Sequence, residues 1–240
     1  MTLKNRAAVR IVGLTLAVFL LGACAAQGPA VHYQGDLTFI ETVVIVPFEN
    51  LAERFEPDTG VRSPISGRVF VTGPAAAGSD RFLTGQLLSH VRRDTAFDIL
   101  PADDPTVASD VFGEGRLRDG QQLERLSQNG RRRGADAVFA GHVYRFRERV
   151  GGGFSAESPA SIAFDIYLID CRQPSVLWSA VFDYTQEALS DNLFGVGNFF
   201  RRGGRWVTAE ELATAAMDSI FEDFPRPRPK TAAGIDGGSD

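Results

Sequence analysis

The sequence has few of the residues from which reactive sites are built. Its 240 residues include only two cysteines and three histidines, and it contains no HExxH, Walker, SxxK or paired-cysteine motif. The histidines, His32, His90 and His142, fall in a linker, a helix and a strand, so nothing indicates that they share a metal ion. We therefore predict a protein without catalytic residues, cofactor or metal.

One segment partly matches a catalytic motif. Residues 153–156 begin like a nucleophile elbow around Ser155, but the last glycine is missing and the segment falls between two strands. His142 lies on a strand with Tyr144, which favours a buried histidine with its hydrogen bonds satisfied over a metal ligand. An envelope hydrolase that uses Ser155 or an acidic pair stays open as an alternative function.

The sequence also lacks a long hydrophobic run at its start. Residues 11–21 are apolar and uncharged, but a membrane-spanning helix needs about 20 residues. Lys4, Arg6 and Arg10 precede them, which predicts a signal peptide. The following residues, Leu-Gly-Ala-Cys24, resemble the lipobox of bacterial lipoproteins, in which the cysteine thiol receives a diacylglycerol.

This resemblance implies a lipid anchor, including palmitate, on Cys24, because several acyl chains hold a protein stably on a membrane. Ala25 follows, where such lipoproteins carry Asp when they stay in the inner membrane. The resemblance therefore implies the outer membrane and its periplasmic face. Cys171 is left without an intramolecular partner.

Charge and composition indicate one acidic domain. Removal of residues 1–23 takes away three basic residues, so the formal net charge changes from −5 to −8. An acidic chain is a poor ligand for nucleic acid, and we predict none. We expect a signal peptide over 1–23, a lipidated linker over 24–37, one domain over 38–225 and a disordered tail over 226–240.

Three consecutive strands form the predicted centre of the domain: residues 135–146, Ser161–Asp170 and Val176–Thr185. The last two alternate apolar and polar residues and are joined by a short turn, which predicts an antiparallel hairpin. A register that pairs even positions with even positions places Phe164 beside Phe182 and Leu168 beside Trp178.

Strands and helices alternate before this centre. We predict a strand over 42–48, a helix over 80–94 with Asp80 as its cap, a short strand over 97–100 and a helix over Gln121–Arg132. A capping box at Thr208–Glu211 begins a third helix. The fold class is α/β (α+β): a single mixed sheet of about five strands, parallel first and then antiparallel hairpins, with helices mainly on one face.

Two surface features have two interpretations each. The first feature is a group of arginines: Arg145, Arg147 and Arg149, with residues 131–133 before them. They form either a basic patch or a solvated face. We favour the solvated face, in which Asp165 neutralises Arg145 across the sheet. The segment 192–206 either docks on a partner or membrane, or folds under to cover a sheet edge. Its large apolar residues include Leu193, Phe194, Phe199, Phe200 and Trp206.

The second face of the sheet mixes apolar and charged side chains, which is typical of a protein-binding patch. We assign to it Tyr167, Val181, Phe139 and Val143 as a possible partner face. Alternatively, the long connection 49–80 or the segment 192–206 covers these residues.

Over about residues 43–185, the chain resembles a superfamily of envelope lipoproteins. The resemblance lies in the order of its segments: VVIVPFEN, an amphipathic helix, FDILP, GADAVFAGHVYRF and LIDCRQPSVLW. This superfamily includes the curli secretion-channel lipoprotein, the penicillin-binding-protein activator lipoproteins and the amino-terminal domain of the Tol–Pal translocation protein. The resemblance implies a fold like anticodon-binding domains. RSPISGRVFVTGP and FFRRGGRWVTAEELA resemble a narrower set of uncharacterised bacterial lipoproteins.

We therefore predict a lipid-anchored periplasmic protein that binds another envelope protein. Besides the hydrolase, a homo-oligomeric accessory subunit of a secretion channel is an alternative, and self-association stays open.

Overall fold

The computed structural model describes residues 29–101, 121–152, 156–186, 206–222 and 224–225. Within these residues the strands are β1 (Ala30–Tyr33), β2 (Thr42–Ile45), β3 (Glu49–Asn50), β4 (Gly60–Arg62), β5 (Val69–Val71), β6 (Asp98–Ile99), β7 (Ala137–Arg147), β8 (Val150–Gly151), β9 (Ala156–Ser158), β10 (Ser161–Asp170) and β11 (Val176–Thr185). The α-helices are α1 (Ser79–Asp94), α2 (Gln121–Arg132) and α3 (Ala209–Glu222). In this described part, no helix has both the length and the apolar character needed to cross a membrane.

A mixed sheet forms the centre, as the sequence predicted. Its strand order is β1-β11-β10-β7-β2-β6, with β3 also beside β7. The pairs β1–β11, β11–β10 and β10–β7 are antiparallel, whereas β2 and β3 pair in parallel with β7, and β6 pairs in parallel with β2. The sheet has seven strands instead of about five, because β1 and β3 join the five that were expected. Strand β1 lies inside the predicted linker 24–37, so that linker is shorter than predicted.

The predicted hairpin register is confirmed. Phe164 lies opposite Phe182, and Leu168 lies opposite Trp178. Their side of the sheet, the aromatic face, is covered by α1 and α3: Trp178 contacts Phe221 with ring centroids 5.9 Å apart. The rings in this layer meet mostly at an angle, which the quadrupoles of aromatic rings favour.

A β-bulge in β7 changes which residues face the helices. Phe164 pairs with Val143, whereas Ala163 pairs with Arg145, so Tyr144 is an extra residue. Because one inserted residue reverses the alternation, Phe139 and Val143 lie on the aromatic face, and their assignment to the second face was wrong.

The opposite side of the sheet, which we call the network face, is covered by α2 and by residues 51–72, the covering segment. Leu126 of α2 packs in one cluster with Val138, Tyr167 and Ile169. Helix α2 approaches the sheet closely at Gly130, where an added Cβ would lie 2.4 Å from Val138 Cγ2. The glycine that weakens this helix in isolation therefore permits its packing.

The covering segment is an excursion from the edge of β7. Before this segment, Asn50 pairs with Val143 of β7. After it, the chain contacts β7 again, where the Gly73 amide donates to the Tyr144 carbonyl at 3.1 Å. Between these points, β4 and β5 form an antiparallel hairpin. This hairpin accounts for much of the long connection 49–80, whose structure the sequence left open.

The helix ends differ in how well they were predicted. Helix α1 begins one residue earlier than expected, after the left-handed Gly78, so Asp80 lies in its first turn and does not cap it. For α3 the capping box is confirmed. The Glu211 amide donates to the Thr208 hydroxyl at 3.1 Å, and the Thr208 amide donates to the Glu211 carboxylate at 2.9 Å.

Candidate functional site

The most concentrated polar chemistry in the described residues is a buried network around Asp165. This aspartate is on β10 at the centre of the network face and is 0% exposed. Its Oδ1 accepts from His142 Nδ1 at 2.7 Å and from the His142 amide at 3.2 Å. A buried carboxylate is costly unless it is paired and hydrogen-bonded, and here both oxygens have partners.

Two tyrosines complete the shell of this carboxylate. Tyr144 and Tyr167 donate to Asp165 Oδ2 at 2.8 and 2.7 Å. The bulge brings this about, since it leaves Tyr144 on the same side of the sheet as His142. Phe70 of β5 stacks on the Tyr144 ring with centroids 3.9 Å apart, which joins the covering segment to the network.

The tip of the β4–β5 hairpin adds hydroxyl groups. The Tyr167 hydroxyl lies 2.9 Å from Ser63 Oγ and 2.8 Å from Ser66 Oγ. A phenol has one proton, and a carboxylate is the stronger acceptor, so Tyr167 donates to Asp165 and the serines complete its shell. The network therefore extends from the sheet into the covering segment.

The surroundings keep both phenols protonated. Burial raises the pKa of Tyr144 well above its ordinary value, and the nearby charge of Asp165 raises it further. The pKa of Tyr167 is raised for the same two reasons, with burial the larger. Protonated phenols are donors, so the shift maintains the hydrogen bonds that Asp165 requires.

On its other side, His142 meets α2 and β3. Its Nε2 lies 3.0 Å from the Gln122 amide nitrogen and 3.8 Å from Glu49 Oε2. Donation from Nδ1 to Asp165 fits a ring whose Nε2 accepts from Gln122. Burial raises the pKa of Glu49 and outweighs the lowering effect of the Arg54 guanidinium, which donates to this carboxylate.

Asp165 and His142 form the carboxylate–imidazole pair of a catalytic triad, but the imidazole does not face a nucleophile as it does in a triad. In a triad the second imidazole nitrogen faces a nucleophile, whereas here it faces Gln122 and Glu49. Ser63 lies on Tyr167 instead and is 2% exposed. The described geometry thus suits a structural cross-link. The interpretation of His142 as a buried histidine with satisfied hydrogen bonds is confirmed.

Two predictions about the second face are wrong. Tyr167 and Val181 do face away from the aromatic layer, but both are buried, because the covering segment packs on them. With Phe139 and Val143 on the aromatic face, none of the four residues is exposed to a partner. The alternative, in which the long connection 49–80 covers this face, is the one observed.

The predicted partner of Arg145 is also wrong. Arg145 Nη2 donates to Asp183 at 2.6 Å, because the bulge places Arg145 opposite Ala163 and Asp165 is bound to other groups. Its Nη1 donates to the Val71 carbonyl at 2.7 Å, so Arg145 also holds the covering segment. Residues 131–133 precede the start of β7 and Arg145 is near its end, so these arginines do not form one patch.

Several predicted site residues lie outside the described residues: Cys24, Ser155, Phe194, Phe199 and Phe200. Trp206 is described and is partly buried. The lipid anchor and the docking segment therefore stay predictions. In the described part of the chain, no group of three or more acidic, histidine or cysteine side chains has an arrangement that could hold a metal ion.

Sequence reasoning missed several residues that the structure brings together, namely Glu49, Gln122, Ser63 and Ser66. Three of them come from the long connection or its first strand, and Gln122 is a polar residue on the buried side of a helix. One signal was present: Val69, Phe70 and Val71 are a short run of β-branched and aromatic residues between two glycines, which is typical of a strand.

Comparison with known proteins gives no sequence family. No protein-family model matches the chain, and no curated protein matches it. Solved structures with some similarity include a PelC dodecamer from Paraburkholderia phytofirmans, at 15% identity and a TM-score of 0.43, covering 80% of this chain and 94% of that chain.

Two further similar structures are the lipoprotein GNA1162 from Neisseria meningitidis and the LpoB C-terminal domain from Salmonella enterica. The first has 14% identity and a TM-score of 0.37, over 61% of this chain and 83% of that chain. The second has 13% identity and a TM-score of 0.34, over 64% and 89%. Such values do not transfer a function, so the function of this chain is proposed from its own residues.

Proposed function

We propose that this chain is a lipid-anchored protein of the bacterial cell envelope that binds another envelope protein and is not an enzyme. The observation that carries the anchor is Leu-Gly-Ala-Cys24 directly after a basic start and a short apolar run. Each of these features is required for export and lipidation, and all occur in the required order. The resemblance to bacterial lipoproteins, with Ala25 in place of the Asp that goes with inner-membrane retention, supports a location at the periplasmic face of the outer membrane.

The start of the domain supports anchoring close to the membrane. Strand β1 begins at Ala30, and a fully extended chain from Cys24 to Ala30 reaches about 20 Å. A lipid on Cys24 would therefore hold the sheet within about one domain diameter of the bilayer. The partner is a protein that is found at that surface.

The state of the polar network supports a binding role over catalysis. A general base must lie within hydrogen-bond reach of the proton that it removes. His142 and Asp165 are fully buried and are bonded to each other, to the two tyrosines and to Gln122. In the described part of the chain, the residues that most resemble a catalytic set are therefore closed to a substrate.

The anchor is tested by replacing each cysteine in turn. Cys24→Ser should abolish palmitate incorporation in cells and move the protein from the membrane fraction to the soluble periplasm. Cys171→Ser is the matched control, because Cys171 is buried in the domain and is the second of the two cysteines. Palmitate labelling of Cys24→Ser, or continued fractionation with membranes, would overturn the lipoprotein assignment.

For partner binding, the sequence offers the segment with Phe194, Phe199, Phe200 and Trp206. A photo-cross-linking residue at position 199 should give one discrete product with another envelope protein in intact cells. The same probe at Ser89, an exposed residue of α1, should give none. Products with the mass of two copies of this chain would instead indicate self-association, and equal products at both positions would contradict the docking role.

A further inference from the structure

The outer surface of the β4–β5 hairpin is exposed in the described part of the chain. Val61 and Phe70 face inward and are buried, whereas Val69 and Val71 face outward and are 52% and 48% exposed. Arg62 lies opposite Val69 across the hairpin, and Gly60 lies opposite Val71. Two β-branched apolar side chains thus stand in the solvent on one face beside a cation.

The cationic end of this surface is the hairpin tip. Arg62 donates to the Gly67 carbonyl at 3.1 Å, and the Arg68 guanidinium lies 5.8 Å from the Phe70 ring centre. Both arginines are exposed, and neither has a carboxylate partner among the described residues. The exposed acids Glu56 and Asp58 precede β4, beside the opposite end of the hairpin. The tip therefore combines apolar side chains with positive charge.

The hairpin is also held in a fixed orientation. Ser63 bonds to Tyr167, Phe70 stacks on Tyr144, and the Val71 carbonyl accepts from Arg145. These contacts tie its tip, its inner face and its return strand to the sheet. A surface fixed in this way can bind without the entropy loss of ordering a loop.

The chain enters the domain next to this hairpin. Ala30, the first residue of β1, lies opposite Val181, and the Val181 side chain packs in one cluster with Val61 and Phe70. Two packed sheet layers are about 10 Å apart, whereas the chain from Cys24 to Ala30 reaches about 20 Å. A lipid on Cys24 can therefore enter a bilayer on which the outer surface of the hairpin rests.

We propose that the outer face of the β4–β5 hairpin, formed by Arg62, Val69 and Val71 with Arg68 beside it at the hairpin tip, docks on a phospholipid surface with anionic headgroups. The proposal rests on the lipid anchor of Cys24. Apolar side chains enter the interfacial region while arginines meet headgroup phosphates, which matches the composition of this face.

The small size of the face favours a membrane over a second copy or another protein. A stable protein interface buries about 800 Å² on each partner, far more than two valines and two arginine side chains supply. A tethered surface needs less, because the anchor makes docking an intramolecular event at high effective concentration. The docking would set the orientation of the domain, with the α1 and α3 side turned to the periplasm.

The test uses the full lipidated chain with Val69→Cys, labelled with an environment-sensitive bimane probe. Cys24 is then occupied by lipid and Cys171 is buried, so the probe reacts at position 69. The chain is placed in vesicles of phosphatidylethanolamine and phosphatidylglycerol that contain brominated lipid, which quenches fluorophores at the bilayer. We expect strong quenching at position 69 and none for the same probe at Ser89.

Charge reversal sharpens the test. Arg62→Glu with Arg68→Glu should remove most of the quenching, whereas Arg92→Glu with Arg132→Glu, two exposed helix arginines, should leave it unchanged. Raised salt, or vesicles made of phosphatidylcholine alone, should also remove most of the quenching, as Arg62→Glu with Arg68→Glu does. Matching melting temperatures show that each variant is folded.

Flotation of the vesicles separates this proposal from the lipid anchor. A chain that does not float with the vesicles contradicts the anchor itself. If the chain floats and the probe at position 69 is not quenched, the anchor holds and the docking proposal is overturned. Cross-linking of position 69 to a protein in cells, together with absent quenching, would make this face a protein-binding surface instead and would also overturn the proposal.

Discussion

The two faces of the central sheet are stabilised by different kinds of interaction. On the aromatic face, Phe139, Trp178 and Phe224 meet at ring-centroid distances of 5.0 to 6.3 Å. On the network face, the central residue is Asp165, whose carboxylate collects bonds from two strands. Both layers bury apolar area, but only the network face adds a set of directed hydrogen bonds around a buried carboxylate.

Because the two layers differ in this way, substitutions in each should reduce stability differently. Apolar burial is non-directional and proportional to area, so the aromatic layer should lose stability in proportion to the atoms removed. The network depends on every donor having its acceptor, so a small change there leaves several buried groups unsatisfied. The covering segment is attached through such bonds as well as through apolar contacts, so damage to the network should loosen this segment locally.

The largest expected effect is on the aromatic face. Trp178 is fully buried between the sheet and α3, so Trp178→Ala should lower the free energy of unfolding by about 3–5 kcal/mol. Chemical denaturation followed by circular dichroism measures it, with one cooperative transition at lower denaturant.

Trp178→Phe is the control for this prediction. The indole nitrogen of Trp178 is buried with no hydrogen-bond partner in the described part of the chain, so its removal sacrifices no bond. We expect a loss of about 1–2 kcal/mol, from the smaller ring alone. A loss below about 1 kcal/mol for Trp178→Ala would mean that α3 does not depend on this layer.

The next effect concerns the network face. Asp165→Asn keeps the shape but presents an amide group to donors that need an acceptor, which should cost about 1–3 kcal/mol. The effect of Asp165→Asn should be confined to the covering segment. Residues 51–72 should exchange amide hydrogens faster and be cut sooner by protease, while the protection of α1 and α3 stays unchanged.

Asp183→Asn is the matched control, because Asp183 is a carboxylate on the same face that binds Arg145 but is exposed. Exposed ion pairs contribute about 0–1 kcal/mol, so a smaller loss is expected. Equal losses for the two variants, or protection lost uniformly over the chain, would contradict the contrast between the faces.

A smaller effect is expected just before β7, where Asp136 binds the chain at the start of β2. Asp136 accepts from the amides of Glu41 and Thr42, both at 3.0 Å. Burial acts to raise the pKa of Asp136, but the bonds from Thr42 and Glu41 outweigh it and lower the pKa below 3.8. Asp136→Asn should therefore cost about 1 kcal/mol at neutral pH.

The pH dependence fixes the origin of that loss. A carboxylate with a lowered folded pKa contributes stability above its unfolded pKa, and this contribution disappears as the pH falls through the folded pKa. The difference between the original chain and Asp136→Asn should therefore be largest above about pH 5 and shrink below pH 3.8. A difference that is independent of pH would assign the loss to packing.

The sequence predicted the aromatic face better than the network face, for a physical reason. Strict alternation in β10 and β11 was sufficient to pair Phe164 with Phe182 and Leu168 with Trp178. The same counting failed in β7, because the bulge at Tyr144 adds one residue that no alternation reveals. Phe139 and Val143 were misassigned for that cause, whereas the partner of Arg145 was also misassigned because Asp165 is bound to other groups.

The network could not be assembled from local patterns. Its members Glu49, Ser63, Gln122 and Asp165 are far apart in the chain and meet only after the sheet, α2 and the covering segment have packed. By contrast, the capping box of α3 involves residues three positions apart, and a local pattern was enough to predict it. Prediction succeeded where the deciding contacts are near in sequence.

The return of the covering segment to β7 has a consequence for how such a chain can change. Its two ends meet β7 at neighbouring residues, Val143 and Tyr144, so the segment is an insert whose removal leaves the sheet register intact. Doubling the length of such a loop costs only about 0.6 kcal/mol of closure entropy. A substitute for this insert has to cover the apolar surface around Val181 and also bring hydroxyl groups to Tyr167, where Ser63 and Ser66 now lie.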